Sequence, residues 1–526
     1  MSARPTTPER WDAVVIGAGV AGATTAGLLA ARGHRVVVVE RDQHAGGCAA
    51  SFEQGGYVFA VGATVGMGLE PGGVVRRVYE RMGVTPRYLP VDPAIRVLVG
   101  DRIVDLHADR DAWQAEVARA FPGQDAGKRA FWADVARLAR GLKHAAERFP
   151  VMPFRHPFDL LDTARAAHPS LLPVLLRLRS SVADLLAEHG VDDEVHRAFI
   201  DGQLIDAMQV TADDCAGPNG ALALDVYRHG AQYVLGGLSS IAADFLAVVR
   251  RAGGSVRFAT RARGILLDDR GRVAGVATRG GELRAPVVVS TVPLANTAEL
   301  VGAEVRTRLH RRATSHQTPW GPFTLYLGVD ERVLPRDVRP FLQVTDVPER
   351  GQPTPVHDGG NLLISISPRE DEGRAPAGKR AITVSTHVHA APWLELAERP
   401  DAYQAAKERF TERLLDQMER LLPDLRSGLE LVQAGTPRTL LRYTRRAGGT
   451  AGGFPQSLAN ANFGAPSHRT DVPGLFLAGD TVFPGQGTLG VTISGFNAAR
   501  SADRQLRTLP TPARGRRSVE TQEVAA

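Results

Sequence analysis

The stretch "DAVVIGAGVAGATTAGLLAARGHRVVVVER", Asp12 to Arg41, decides the fold. Ala13, Val14, Val15 and Ile16 form an uninterrupted apolar run, the pattern of a strand buried on both faces of a parallel sheet. Gly17, Gly19 and Gly22 follow at GxGxxG spacing. The first permits a tight turn, the second lets the backbone approach a pyrophosphate, and the third lets the next helix pack on the strand. That helix opens at the phosphates, where its N-terminal N–H groups and dipole favour negative charge. Gly33 ends it, Arg35 to Val39 reads as a second strand, and Glu40 stands at the end of that strand, 18 residues beyond Gly22. An acid at this place accepts hydrogen bonds from the ribose of an ADP moiety. The stretch therefore predicts a Rossmann-type unit that binds an ADP-containing dinucleotide.

A second glycine cluster chooses among dinucleotides. In "AGGCAASFEQGGYVFAVGAT", Ala45 to Thr64, Gly46 and Gly47 follow the ribose acid, and a short strand leads to another turn at Gly62. A nicotinamide cofactor gives these glycines no task, whereas the ribityl chain and ring of a flavin need further close backbone approaches. FAD is the expected cofactor. A third cluster, "GDTVFPGQGTLGVTISG" from Gly479 to Gly495, follows a strand at Leu475 to Ala478 and places Asp480 at its end. Thr488 to Val491 begin a helix whose small residues, Gly490, Ser494, Gly495 and Ala498, permit close packing.

Between these clusters the periodicity changes. From Leu106 to Met208, segments such as "RAFWADVARLARGLKHAAERF" carry apolar residues at three- and four-residue intervals and predict helices. Within them "FPVMPFRHPF", Phe149 to Phe158, and the apolar stretch Leu171 to Leu186 are candidates for shallow insertion into a bilayer. A helix is expected over Ser239 to Arg251. Short apolar or alternating runs at Pro322 to Val329, Leu362 to Ile366 and Ala381 to His389 predict a separate sheet. The expected fold class is α/β: a Rossmann-type FAD-binding domain with an inserted α+β substrate domain of mixed sheet and helices. The FAD-binding pieces are 10–105, 221–300 and 451–506. The helical, membrane-facing part is 106–220, the sheet and helices of the substrate domain are 301–450, and a disordered tail is 507–526.

Of 526 residues 43% are hydrophobic, enough to fill sizeable cores, and 63 Lys and Arg against 57 Asp and Glu give a formal charge of +6. The basic residues are scattered and do not interleave with aromatics, so nucleic acid is not an expected partner. Cys48 and Cys215 stand alone, which excludes a disulfide framework and fits a reducing cytosol. The first residues lack the apolar core of a secretion signal, and no run of 18 apolar residues occurs, so a peripheral rather than spanning relation to a membrane is expected.

His387 and His389 share one face of a strand. No recognisable metal motif accompanies them, so they are read as cavity-wall or core positions, and no metal is expected. Asp213, Asp214 and Cys215 read as a turn. Ser239 and Ser240 read as helix-starting residues, and Cys48 as a packed residue near the flavin. No triad or paired-carboxylate motif names a catalytic residue.

The stretches "VVIGAGVAGATTAGLLAARGHRVVVVER", "GGCAASFEQGGYVFAVGAT" and "GLFLAGDTVFPGQGTLGVTISGFNAA" resemble the carotenoid desaturase and isomerase branch of the FAD-dependent amine oxidase-like flavoproteins, over nearly the whole chain. "VGATVGMGLEPGG", Val61 to Gly73, is similar to bacterial carotenoid 3',4'-desaturases in particular. The resemblance implies that Gly17, Gly19 and Gly22 hold the pyrophosphate, Glu40 the adenosine ribose, with Arg41 also in the cofactor-binding set, and Gly46, Gly47 and Ser51 the phosphates and ribityl chain. It places Gly62, Ala63 and Thr64 at one edge of the ring and the backbone of Ala262 at the adenine. Gly479 and Asp480 would meet the ribityl hydroxyls, and Gly487, Thr488, Leu489 and Val491 would bring backbone N–H groups to the pyrimidine side. The implied activity is desaturation at C-3',4' of an acyclic or hydroxylated carotenoid end. Isomerisation of a carotenoid by reduced FAD and an amine oxidase-like reaction are the alternatives. The implied partners are a hydrophobic carotenoid and the inner face of the cell membrane, with the enzyme in the cytoplasm; the sequence specifies no oligomeric state.

Overall fold

The computed structural model describes residues 9–303, 305 and 307–510. Five strands, Ala13–Ile16, Val36–Val39, Ser255–Arg257, Val287–Ser290 and Leu475–Leu477, form one parallel sheet. In space they lie in the order 255–257, 36–39, 13–16, 287–290, 475–477. The order reverses between Ala13–Ile16 and Val287–Ser290, and a crevice opens outside the carboxyl ends of strands at such a switch point. The four valines at 36–39 are at most 1% exposed, so each contributes about 1.5–3 kcal/mol of apolar burial.

The Val20–Ala31 helix is small or apolar all round and is buried from Val20 through Ala30. It packs between the Ser239–Arg251 and Gly487–Thr508 helices. Close approach here depends on missing side chains. A Cβ on Gly495 would lie 2.6 Å from the Ala21 carbonyl, and the Thr25 hydroxyl donates to the Gly495 carbonyl at 3.1 Å. Ser239–Arg251 matches the expected helix, while the last helix runs on to Thr508. Residues 507 and 508 are thus helical, and the expected tail lies from residue 511 onward outside the described residues.

A seven-stranded mixed sheet forms the second body, in the order 429–435, 320–330, 379–389, 361–366, 341–345, 96–99, 102–105. The three expected runs at 322–329, 362–366 and 381–389 all lie in it. Two strands from the first 105 residues, Arg96–Val99 and Arg102–Asp105, also join it, by parallel pairing of Arg96–Val99 with Phe341–Thr345. That segment belongs to this seven-stranded sheet rather than to the parallel sheet. A four-residue strand can pair with any exposed edge, and the edge it meets is settled by tertiary packing.

The helical part centres on Asp125–Ala146, Glu194–Met208 and Gly217–Asp225, packed around Trp113, Phe131, Trp132 and Phe199. The apolar stretch 171–186 is broken into Leu172–Leu176 and Val182–Glu188. Ser181 caps the second helix by accepting from the Asp184 N–H at 3.0 Å, and Asp184 accepts from the Ser181 N–H at 2.8 Å. Among the described residues, no helix is long and apolar enough to cross a membrane.

Candidate cofactor and substrate site

A continuous cavity of about 1520 Å³ begins at the switch point and runs between the two bodies. Every proposed cofactor residue lines it except Gly22, which lies beneath the first loop: Gly17, Gly19, Glu40, Arg41, Gly46, Gly47, Ser51, Gly62, Ala63, Thr64, Ala262, Gly479, Asp480, Gly487, Thr488, Leu489 and Val491.

The first loop is shaped by close contacts. Gly17 has φ +105°, and a Cβ there would meet the Thr291 hydroxyl at 2.5 Å, while that hydroxyl donates to the Ile16 carbonyl. A Cβ on Gly22 would lie 2.1 Å from the Gly17 carbonyl. Gly19 is different, because its nearest neighbour would be the Gly46 carbonyl at 3.6 Å. Gly17 and Gly22 therefore build the loop, and Gly19 keeps it open toward the cavity. Gly46, with φ +122°, donates its N–H to the Ala18 carbonyl at 3.0 Å and brings the second cluster against the first. Glu40 accepts from the N–H groups of Ala18 and Asp42, both at 2.8 Å, which fixes its carboxylate beside the loop. Glycines that admit a phosphate and an oriented acid fit the ADP half of FAD. The Arg41 guanidinium donates to the Tyr443 carbonyl, and Ser51 accepts from Arg374 at 3.1 Å.

At the other end, Gly479 has φ +117° and donates its N–H to the Ser494 hydroxyl at 2.9 Å. Asp480 pairs with Arg446 at 2.9 Å. Arg446 also donates to the carbonyls of Thr450 and Gly452 and stands 3.4 Å from Cys48 Sγ. Burial disfavours its charge, but the adjacent Asp480 and Cys48 together outweigh burial, so the guanidinium stays protonated. Burial likewise pushes the Cys48 thiol up. The helix at Gly487 has no side-chain cap, and its opening residues line the cavity, leaving its first N–H groups for a ligand. The Thr488 hydroxyl is engaged elsewhere, donating to the Met67 carbonyl and accepting from the Met67 N–H.

Beyond this helix end the cavity meets the substrate sheet. Gln486 donates to the carbonyls of Asp206 and Ala207, both at 2.9 Å, tying the Glu194–Met208 helix to the start of the last helix. The Asp206 carboxylate accepts from Asn361 at 3.1 Å and Gln343 at 3.2 Å, and its other oxygen lies 3.5 Å from His387 Nδ1. That separation lacks hydrogen-bond geometry, and His387 Nδ1 has no other partner. Burial pushes Asp206 up to about 7, with the Asn361 hydrogen bond pulling the other way, and burial pushes His387 down to about 4. Tyr227 lines the same region, raised by burial and then by the Asp206 charge. His389, two residues along the strand, instead joins His357 and Asp358 in a cluster whose ligand atoms lie within 4.8 Å of one another.

Toward one mouth the lining is apolar, and Phe154, Leu171, Leu175 and Phe463 line the cavity there. Around them Phe158, Leu160, Leu161, Leu172, Leu176 and Leu458 are exposed, Leu176 by 76%. Phe154 and Phe463 meet edge to face with ring centroids 5.8 Å apart.

Sequence reading did not single out Arg446, Thr291, Gln486 or Asp206. Arg446 is one of 63 basic residues and Asp206 sits in an ordinary helical pattern, so neither carries a local signal. Only the "PGQG" run could have drawn attention to Gln486.

A family model described as flavin containing amine oxidoreductase matches residues 20–502. The chain is 27% identical over 508 residues to the chloroplastic prolycopene isomerase of Arabidopsis thaliana, covering 93% of this chain and 82% of that protein. It is 25% identical over 518 residues to the all-trans-retinol 13,14-reductase of Rattus norvegicus, covering 90% and 83%. A solved oxidoreductase from Methanosarcina mazei shares the fold with a TM-score of 0.60 at 19% identity, covering 93% of this chain and 99% of that one. The geometry and the family together make this an FAD-dependent oxidoreductase. The chain belongs to the flavin containing amine oxidoreductase family.

Proposed function

We propose that this protein desaturates a carotenoid, introducing a C-3',4' double bond into an acyclic or hydroxylated end, while attached to the inner face of the cell membrane. The observation that carries this reading is the single cavity joining the FAD-side glycines to an apolar mouth ringed by exposed Leu and Phe. A long polyene insoluble in water needs such a route from a bilayer. The sequence similarity of the LEPGG stretch supports the bond assigned, and the carotenoid- and retinoid-named relatives support the substrate class.

Bound FAD supplies the acceptor for a hydride equivalent. The chain's own tasks are to hold one C–H of the polyene at the ring, to keep water out with the apolar wall, and to stabilise charge at the ring with the uncapped N–H groups of the Gly487 helix.

Carotenoid isomerisation is the second reading, favoured by the 27% identity to a prolycopene isomerase across 93% of the chain. Co-expression in a lycopene-producing host separates the two. Desaturation removes two hydrogens and shifts absorption to the red, whereas isomerisation alters the spectrum at constant mass. Unchanged pigments would overturn the polyene reading.

A further inference from the structure

We propose that Asp206, held by Asn361 and Gln343 and facing His387, is the residue that exchanges a proton with the bound polyene. The inference rests on the polyene reading above and names the group that reading leaves open.

Removing hydrogen from a C–C bond releases a hydride equivalent and a proton, and the proton needs an acceptor inside a cavity that excludes water. In the step, the C–H bond beside the hydride-losing carbon breaks and its electron pair forms the new C=C bond. The hydride goes to oxidised flavin, and the proton goes to Asp206 Oδ1. Run backward, the same oxygen delivers the proton, which serves isomerisation or saturation equally.

Three observations place Asp206 in this role. It lines the cavity where the substrate sheet meets the uncapped end of the last helix, and Gln486 clamps its carbonyl there. Its Oδ2 is held by two amides, from Asn361 and Gln343, while Oδ1 accepts no hydrogen bond from the described residues and faces His387 Nδ1 at 3.5 Å. His387 Nδ1 is itself a buried, unpartnered polar atom on the cavity wall. A carboxyl fixed by one oxygen and open at the other is arranged for proton transfer at the open one. The surrounding groups agree: burial raises Asp206 to about 7 and lowers His387 to about 4, so near pH 7 the imidazole is neutral and the carboxyl is divided between its two forms, ionised to take a proton in desaturation and protonated to give one in the reverse direction.

The test uses the FAD-loaded protein and its D206N, D206E and H387Q variants, mixed anaerobically with lycopene in detergent micelles. Flavin bleaching reports the hydride, mass spectrometry of lycopene in heavy water reports the proton, and infrared difference spectra report the carboxyl without any turnover. We expect D206N to keep its flavin and its carotenoid absorption shift, to lose a protonated-carboxyl band, and to bleach at least ~100-fold more slowly. D206E should recover part of the exchange, which a merely structural role would not produce, and H387Q should shift the carboxyl band while retaining it. Bleaching by D206N within about threefold of wild type, or an unaltered carboxyl band, overturns the assignment. If wild type neither bleaches nor exchanges with lycopene, the polyene reading fails and takes this inference with it.

Discussion

Arg446 and Asp480 meet at 2.9 Å with little exposure, 9% and 16%, and the same guanidinium reaches Cys48 at 3.4 Å. One side chain thus holds the second and third glycine clusters to a common wall. Removing one partner from a buried ion pair strands the other charge and costs about 3–5 kcal/mol. Asp480→Ala is expected to lower both FAD content and melting temperature, with Asp480→Asn milder because it keeps an acceptor. Flavin absorbance per mole of protein and a thermal melt check this, and unchanged flavin in the alanine variant would remove Asp480 from the binding set.

The glycines of the first loop should separate by variant. Gly22→Ala drives a methyl onto the Gly17 carbonyl, 2.1 Å from the ideal Cβ, and overpacking of this kind costs about 1–3 kcal/mol. It should lower the melting temperature of the apoprotein. Gly19→Ala finds only ordinary contacts and has an unstrained φ of −71°, so the apoprotein should melt as wild type. Its FAD affinity should nevertheless fall, which titration of apoprotein with FAD would measure.

Membrane attachment is expected to run through the cavity mouth. Changing Leu172, Leu176 and Phe463 together to Ser removes exposed apolar groups without touching the core. Binding to vesicles containing phosphatidylglycerol should drop at least about tenfold in sedimentation assays, since each buried side chain of this type contributes ~1.5–3 kcal/mol. The melting temperature should not move, and wild-type-level vesicle binding by this variant would refute the assignment.

Acid should destabilise the protein through buried histidines. His196 accepts from Trp132 Nε1 at 3.1 Å, and burial, with Lys128 second, pushes it down to about 3. Its folded pKa lies below its unfolded one, so its contribution is present above pH 6.5 and is lost as pH falls toward about 3. Between pH 6.5 and 5 that is about 2 kcal/mol. His196→Gln keeps an acceptor for Trp132 and should flatten the fall in stability over this interval, as denaturant titrations at several pH values would show.

The Ala13–Ile16 strand, its glycine loop, Glu40 and the two later glycine clusters were legible because each reports a local backbone demand. A turn with φ near +105° or a carbonyl 2.1 Å from a would-be Cβ leaves only glycine, and such glycines sit at short fixed spacings beside their strands. Strand and helix periods likewise located the 239–251 helix and the strands at 322–329, 362–366 and 381–389. Arg446 beside Cys48, Gln486 against Asp206 and Asp206 facing His387 were not legible, nor was the joining of Arg96–Asp105 to the far sheet. These pairings unite positions up to 398 residues apart. No spacing rule connects them; each was decided by which buried surfaces meet when the sheets and helices pack, where a charge or amide left without its partner would be too costly to bury.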